Sequence, residues 1–106
     1  MKNFKSIYLL VIIFLIFFSL PVKPDTMFDM GKDVFLNKAM CSSCHTLRDA
    51  GSNAQIGPNL NEIKPDKFRI INAVTNGISV MPAFEGQLTP EEIEAVAHYV
   101  SISSNQ

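Results

Sequence analysis

The sequence predicts a small all-α domain, built of three main helices that follow an apolar leader. Three segments carry apolar residues at the i, i+3, i+4 spacing of an amphipathic helix. No segment shows a convincing alternation of apolar and polar residues, the pattern of a half-buried strand. Residues 25–106 are also close to the lower limit at which a hydrophobic core holds a fold unaided. The fold class is therefore all-α, and the hydrophobic core is small enough that a bound cofactor would be needed to complete it.

The first helix is expected over residues 26–40, with Asp25 or Thr26 as its N-cap. Its apolar face consists of Met27, Met30, Gly31, Val34 and Phe35. Both methionines of this face are expected to pack in the core. A mid-helix glycine costs about 1 kcal/mol relative to alanine. Such a glycine usually lets another backbone or ring come close.

The second helix is expected over residues 65–76, with Gly77 directly after its C-terminus. The side chains expected on its inner side are Phe68, Ile71 and Val74. Between the first two helices lies a long loop, residues 46–64, rich in Gly, Asn and Pro. A loop of that length in so small a domain is usually functional.

The third helix has the clearest start signal in the chain. Thr89 is placed as N-cap, Pro90 as the first helical residue and Glu92 as the third, which together form a capping box. The helix is expected to continue to about Ser101. Its inner residues should be Ile93, Val96, Ala97 and Val100.

Five consecutive residues, Cys41-Ser42-Ser43-Cys44-His45, carry the most functional information. A Cys-x-x-Cys-His run is the attachment signature of c-type haem. On a helical turn, residues three apart project to one side, so two thiols can reach the two vinyl groups of a porphyrin. The adjacent imidazole then reaches the iron from one face. The sequence thus predicts one covalent haem c bound through Cys41 and Cys44, with His45 on the iron.

Three other interpretations of the cysteine pair are open. A structural zinc site needs four ligands, and outside this run only His98 is a strong candidate. A thioredoxin-like dithiol requires a βαβ context, and no strand pattern surrounds the pair. A disulfide between the two cysteines would close a very short loop and constrain little of the unfolded chain. Haem attachment is favoured over all three.

Residues 1–24 are expected to be a signal peptide or an N-terminal membrane anchor, and residues 25–106 the haem domain. Two lysines precede an almost uniformly apolar stretch from Ile7 to Leu20. At about 1.5 Å per residue, this stretch reaches only about two-thirds of a ~30 Å hydrocarbon core, which suits a signal peptide. No Ala-x-Ala cleavage motif occurs around residues 19–22, so a retained anchor stays open. Both interpretations place the domain outside the cytoplasm.

Beyond the leader the chain is acidic. Residues 25–106 hold six Lys and Arg against ten Asp and Glu, a net charge of −4. The whole chain has a net charge of only −1, because three of its nine basic residues lie in or beside the leader. An acidic domain binds nucleic acid poorly, so that class of function is excluded.

A haem iron bound by His45 has a second axial position, and Met81 is favoured to fill it. A thioether sulfur is a soft, neutral ligand that stabilises Fe(II) and raises the reduction potential. Met81 lies in an irregular segment, where Gly77 permits a turn and Pro82 prevents a helix from continuing. The predicted metal ligands are therefore His45 and Met81.

The other candidate ligands are less suited to that position. Met27 and Met30 are assigned to the core. Met40 is too close to Cys41 to cross the ring. His98 is expected on the solvated face of the last helix.

In this order, the motifs resemble the class I c-type cytochromes, the small monohaem electron carriers of bacterial periplasms and mitochondria. The resemblance covers residues 27–101. Its parts are Gly31-x-x-x-Phe35, the haem motif at 41–45, Gly57-Pro58-Asn59-Leu60, Met81-Pro82 and Ala97-x-Tyr99-Val100. It implies a small class I cytochrome c fold, with three main helices wrapped around one covalently bound haem.

The resemblance also implies roles for individual residues. Gly31 and Phe35 should pack on Tyr99 where the first and last helices cross. The carbonyl of Pro58 should accept a hydrogen bond from the second ring nitrogen of His45, which would fix its tautomer. The wall of the haem pocket should include Leu60, Val80 and Phe84.

The implied function is that of a one-electron carrier, not an enzyme, in a periplasmic or membrane-surface chain. Two other functions stay open, namely a haem subunit of a dehydrogenase complex and a haem-based small-molecule sensor or peroxidase. The implied partners are redox proteins, with a dehydrogenase as donor and an oxidase or another cytochrome as acceptor. The stretch from Leu47 to Phe84 is similar to small cytochromes that serve periplasmic dehydrogenases, among them sulfite-oxidising molybdoenzymes. Around the exposed haem edge we expect an apolar patch of Ser42, Ala54, Ile56 and Ala83.

Overall fold

The computed structural model describes residues 3–18 and 25–106, and for residues 17 and 18 the backbone alone. The described chain is mostly helical, as the sequence predicts. Its α-helices are α1 (Phe4–Phe18), α2 (Thr26–Asp33), α3 (Leu60–Ile63), α4 (Lys67–Asn76) and α5 (Pro90–Ser103). Two short strands, β1 (Thr46–Leu47) and β2 (Ser52–Asn53), pair antiparallel within the long loop.

The leader forms a helix, α1, whose side chains over residues 4–16 are exposed. Among the described helices, none combines the length and the apolarity that crossing a bilayer requires. Residues 19–24, which include the positions where a cleavage motif is missing and end at the predicted boundary with the domain, lie outside the described residues. The assignment of residues 1–24 thus stays a prediction.

Asp25 anchors the start of α2 with both of its carboxylate oxygens. Oδ1 accepts a hydrogen bond from the Phe28 amide at 3.1 Å, the geometry of an N-cap. Oδ2 lies 2.9 Å from Nε2 of His98 on α5. His98 is therefore half-buried and paired, which corrects the expectation of a solvated surface residue.

Helices α2 and α5 cross at Gly31. A Cβ atom added to Gly31 would lie 2.0 Å from the carbonyl oxygen of Ala95 and 2.6 Å from Cβ of Tyr99. The ring of Tyr99 contacts Phe28 at 4.9 Å and Phe35 at 5.8 Å between centroids, both edge to face. The packing of Gly31 and Phe35 on Tyr99 is thus confirmed.

A hydrogen-bonded network holds the same crossing to the loop. The hydroxyl of Tyr99 donates to Oδ2 of Asp49 at 2.7 Å, and the Lys32 ammonium lies 3.2 Å from the same oxygen. The hydrogen bond from Tyr99, followed by Lys32, lowers the pKa of Asp49 against the opposing effect of partial burial. Burial, and then the facing Asp49 carboxylate, raises the pKa of Tyr99. Loop and helices are therefore tied by charge-assisted bonds.

The hydrophobic core lies where α5 meets α2 and α4. All four inner residues predicted for α5 are buried. The core consists of Val34, Phe35, Leu47, Leu60, Ile70, Val74, Leu88, Ile93, Val96, Ala97, Tyr99 and Val100.

Two predictions about α4, its first residue and its buried face, are wrong. Helix α4 begins at Lys67, two residues later than expected, because the Asp66 side chain caps it by accepting from the Arg69 amide. Ile70 faces the core in place of Phe68, whose side chain is 85% exposed. The helix has apolar residues on more than one face, so its periodicity alone does not select the buried one.

Met27 and Met30 are also wrongly placed by the sequence pattern. Their side chains are 40% and 45% exposed, although they share a helical face with buried Gly31 and Val34. The close approach at Gly31 is to the middle of α5, at Ala95 and Tyr99, whereas Met27 and Met30 lie beside the first turns of α5, near Pro90 and Glu94. The two methionines lie at the edge of that contact.

Helix α2 changes its geometry before the haem motif. It continues as one π-helical turn, Val34–Lys38, in which the Ala39 amide bonds the Val34 carbonyl at 2.9 Å. Met40 then takes a left-handed conformation with φ of 52° and ends the helix. Insertions of this kind are frequent at functional sites. The first helix thus ends earlier than predicted, and a sharp turn presents Cys41.

Candidate haem site

The Cys-x-x-Cys-His motif forms a compact turn. Residues Cys41–Ser43 are a 3₁₀-helix, and the Cys41 carbonyl accepts from the amides of Cys44 at 3.1 Å and His45 at 2.9 Å. No disulfide joins the two cysteines. Burial raises the pKa of the Cys41 thiol to about 11. A redox dithiol instead depends on a lowered thiol pKa, so this environment does not favour that function.

His45 is fixed on one side of its ring. Its Nδ1 lies 2.8 Å from the carbonyl oxygen of Pro58. Since a carbonyl can only accept, Nδ1 carries the proton and donates. In the neutral ring the lone pair then belongs to Nε2. This is the tautomer required of a histidine that binds iron through Nε2.

Gly57 holds the plane of the same ring, a role that the sequence reasoning did not assign. A Cβ atom at Gly57 would lie 2.6 Å from Cε1 and 2.8 Å from Nδ1 of His45. The Gly57 amide donates to the Cys44 carbonyl at 2.6 Å, which brings the loop onto the motif. Only a residue without a side chain permits this approach. The Gly-Pro pair was the available signal, but its contact with the ring is tertiary.

Met81 is presented by a tight turn after α4. Ile78 and Met81 exchange two backbone hydrogen bonds, at 3.1 and 2.9 Å. Gly77 has φ of +74°, and a Cβ atom there would lie 2.7 Å from the Met81 carbonyl. The Phe84 amide bonds the Val74 carbonyl at 2.8 Å and so returns the segment to α4. Met81 is half-buried against the core.

These segments enclose a largely apolar cavity of about 590 Å³. All eight predicted cofactor-binding residues line it: Cys41, Cys44, His45, Pro58, Leu60, Val80, Met81 and Phe84. Leu60 is buried, but Val80 is 86% exposed and therefore borders the opening. The sequence reasoning missed one wall, which consists of Arg69, Ile70, Ala73 and Val74 on α4.

The expected apolar patch is present only in part. Ile56 lines the cavity and its side chain is 74% exposed. Ala83 is also exposed and directly follows Pro82, which lines the cavity. Ser42 and Ala54 are half-buried. Ile78 and Val80 supply exposed apolar surface at the opening that was not predicted. The exposed apolar residues at the opening of the cavity, Ile56, Ile78 and Val80, form its apolar rim. The turn that carries Met81 contributes more of this rim than the sequence indicated.

The residues fit a covalent haem better than a protein-held metal ion. The cavity is apolar, two thiols lie on its wall, and a histidine with a free Nε2 and a methionine line it. Over residues 3–18 and 25–106, no three His, Cys, Asp or Glu side chains are arranged to hold a metal ion together. A structural zinc site is therefore not supported.

Comparisons with known proteins find related c-type cytochromes. Residues 26–100 match the family model described as cytochrome c oxidase, cbb3-type, subunit III. Cytochrome c6 of Nostoc sp. is 38% identical, over 93% of this chain and 90% of the relative. Cytochrome c6 of Gracilaria tenuistipitata var. liui is 41% identical over 68% of each chain.

A solved structure extends the similarity to three dimensions. The c-type cytochrome SorU from Sinorhizobium meliloti is 48% identical, with a TM-score of 0.73. The match covers 78% of this chain and 97% of SorU. By sequence and fold together, this chain belongs to the class I c-type cytochromes, electron-transfer proteins that carry one covalently bound haem c.

Proposed function

We propose that this protein is a one-electron carrier whose haem iron is held by His45 and Met81 and which acts outside the cytoplasm. One observation carries the proposal. A histidine with a free Nε2 and a methionine line the same cavity as the two cysteines, although 36 residues separate His45 from Met81 in the chain. When bound, haem c supplies a one-electron couple between Fe(III) and Fe(II).

The residues around the site favour reversible electron transfer. The Pro58 carbonyl accepts the Nδ1 proton of His45 and so makes Nε2 a better donor. Gly57 and the turn at Ile78 hold the His45 ring and Met81 in place by backbone contacts. A site that is already ordered needs little rearrangement when its charge changes by one.

A sensor or peroxidase is the less favoured alternative. Such a function needs an open axial position and a nearby acid–base residue. Among the described residues that line the cavity there is no carboxylate and no histidine other than His45. Met81 lines the same cavity as His45, so its thioether would compete with added ligands for a haem iron bound there. The cavity therefore supports a carrier.

The experiment that tests the proposal is Met81→Ala in the purified holoprotein. Loss of the thioether should remove the charge-transfer band at the red end of the oxidised spectrum, lower the potential and admit added ligands. Met30→Ala is the matched control, because Met30 is exposed outside the cavity. An unchanged spectrum in Met81→Ala would show that another residue is the ligand.

Covalent attachment is tested separately. Mass spectrometry should find the chain plus one haem that survives acid and organic extraction. Replacement of Cys41 or Cys44 should lower the yield of folded protein, because so small a domain depends on its cofactor. Haem that is lost on extraction would contradict attachment through the two thiols.

The electron is proposed to pass through the apolar rim around Ile56 and Val80. Contacts between redox partners are small, below about 1,200 Å², because the carrier must dissociate after each transfer. A net charge of −4 over residues 25–106 should steer the domain to a basic docking surface. We propose a periplasmic dehydrogenase as donor, with sulfite-oxidising enzymes as one candidate class.

Ionic strength separates a mobile carrier from a permanent subunit. For a mobile carrier, the rate of transfer from the native donor should fall as salt rises, through the association rate. A rate that does not depend on salt would instead indicate a permanent dehydrogenase complex.

A further inference from the structure

Asn76-Gly77 is the one Asn-Gly pair in the chain, and it joins α4 to the turn that carries Met81. This turn, residues 77–81, is called the Met81 turn below. Asn76 is the last residue of α4 and is exposed, and Gly77 follows it with φ of +74°. Because glycine has no side chain to shield its backbone nitrogen, that nitrogen can reach the side chain of the residue before it. The pair is therefore chemically reactive.

The reaction open to this pair is deamidation. The backbone nitrogen of Gly77 attacks Cγ of Asn76, and the new N–Cγ bond closes a five-membered succinimide ring. The proton of the attacking amide passes to the side-chain nitrogen, which leaves as ammonia. Water then opens the ring at either carbonyl and leaves an aspartyl or an isoaspartyl residue at position 76. No oxidant or reductant takes part, and the isoaspartyl product lengthens the backbone by one carbon atom.

The fold holds both reacting groups in other contacts. The Gly77 amide donates to the Ala73 carbonyl at 2.8 Å, so the attacking nitrogen is used in a helical hydrogen bond. The side-chain nitrogen of Asn76 donates to Oδ1 of Asn72 at 3.2 Å. The Gly77 amide must leave Ala73 before it can attack. The last turn of α4 therefore has to open before deamidation can occur.

Opening of that helical turn is tied to the Met81 turn. A Cβ atom added to Gly77 would lie 2.7 Å from the Met81 carbonyl oxygen and 2.9 Å from the Ala83 amide nitrogen. The Phe84 amide also bonds the Val74 carbonyl at 2.8 Å, which fastens the end of the segment to α4. Gly77 thus has little room to move while these backbone contacts persist, and the two turns should open together.

We propose that Asn76 is a deamidation site which the closed Met81 turn protects, and that its modification releases Met81. The inference rests on the proposed ligation by Met81, because a thioether bound to the iron would hold the turn closed. An isoaspartyl residue at position 76 displaces Gly77, whose close backbone contacts present Met81. Since a thioether favours Fe(II) over Fe(III), the oxidised protein should be modified faster than the reduced protein.

The test follows deamidation of the full-length holoprotein at mildly alkaline pH by mass spectrometry. Trypsin leaves residues 70–106 as one peptide, because the chain has no Lys or Arg after residue 69. Fragmentation reports Asn72 and Asn76 separately, and Asn72, which precedes an alanine, is the internal control. The same peptide, incubated after its release from the protein, gives the unprotected rate.

Three variant holoproteins are compared with wild type: Met81→Ala, Thr89→Ala and Asn76→Gln. Thr89→Ala is the matched control for a general loss of stability, because Thr89 caps α5 and does not line the cavity. Asn76→Gln should block the reaction, since glutamine would have to close a less favourable six-membered ring.

Asn76 in wild-type holoprotein should react at least about tenfold more slowly than in the free peptide. The rate should rise on oxidation, and should rise again by about three- to tenfold in Met81→Ala but by less than about twofold in Thr89→Ala. The charge-transfer band of oxidised wild type should fade in step with the formation of isoaspartate. Oxidised Asn76→Gln should keep the band over the same time.

A wild-type rate equal to that of the peptide would overturn the inference, because the fold would then give no protection. A Met81→Ala rate no higher than that of Thr89→Ala would overturn it too, as would a charge-transfer band that survives the formation of isoaspartate. If Met81→Ala yields too little holoprotein, imidazole is added to oxidised wild type to displace the thioether, with the peptide in the same solution as reference. An unchanged rate after complete displacement overturns the inference in that case. Failure of the proposed ligation is distinguishable, because Met81→Ala would then retain the charge-transfer band.

Discussion

The crossing of α2 and α5 at Gly31 provides the sharpest test of the packing. In Gly31→Ala, the new Cβ would lie 2.0 Å from the Ala95 carbonyl oxygen, whereas real Cβ contacts essentially never fall below 3.0 Å. The obstacle is backbone, so no side-chain rotation relieves it. The two helices must separate by about 1 Å.

The expected magnitude follows from two opposing effects. Alanine favours a helix over glycine by about 1 kcal/mol. Overpacking costs about 1–3 kcal/mol and occasionally more. Here the separation also loosens Tyr99 and Phe35, which are almost completely buried. The cost of overpacking should therefore lie at the upper end of its range, about 3 kcal/mol, which leaves a net loss of about 2 kcal/mol out of the ~5–15 kcal/mol that stabilises a typical domain.

The measurement is equilibrium unfolding of the holoprotein in guanidinium chloride, followed by circular dichroism. With a slope of roughly 2–4 kcal/mol per molar denaturant for a small domain, the midpoint should fall by about 0.5–1 M. A midpoint equal to or above that of wild type would refute the close crossing, because the gain in helix propensity would then act alone.

Three further changes test other parts of the structure. Met30→Ala should change the free energy of unfolding by no more than about 0.5 kcal/mol, as at a surface site. A loss of ~2–5 kcal/mol in the same unfolding assay would instead show that Met30 packs in the core. Thr89→Ala should cost about 1 kcal/mol by removing the α5 capping box, and an unchanged midpoint would contradict the cap. The folded pKa of Asp49 lies below its ordinary value of 3.8, so its stabilisation is present above about pH 4 and is lost as the pH falls through the folded value. Asp49→Asn should therefore flatten the acid side of the stability profile, and an unchanged profile would argue against the bonds from Tyr99 and Lys32.

The sequence by itself determined the features that depend on short spacing. Cys41, Cys44 and His45 lie within one turn, so their geometry is set by the local backbone. The Thr89 cap is likewise formed by residues three apart, and the structure confirms it. Gly31 could be recognised because a glycine inside a helix is costly unless something approaches it. The motif and the cap are set by the local backbone, whereas Gly31 signals a close contact whose partner, α5, is distant in the chain.

Only the tertiary structure decided which faces are buried and which residues meet at the site. Ile70 is buried in place of Phe68 because α5 packs on that side of α4, and the sequence of α4 offers apolar residues on both. The contact of Gly57 with the His45 ring and the position of Arg69 on the cavity wall join segments distant in sequence. Helical periodicity records that a face is apolar, but the partner that covers it, or leaves it exposed, belongs to another part of the chain.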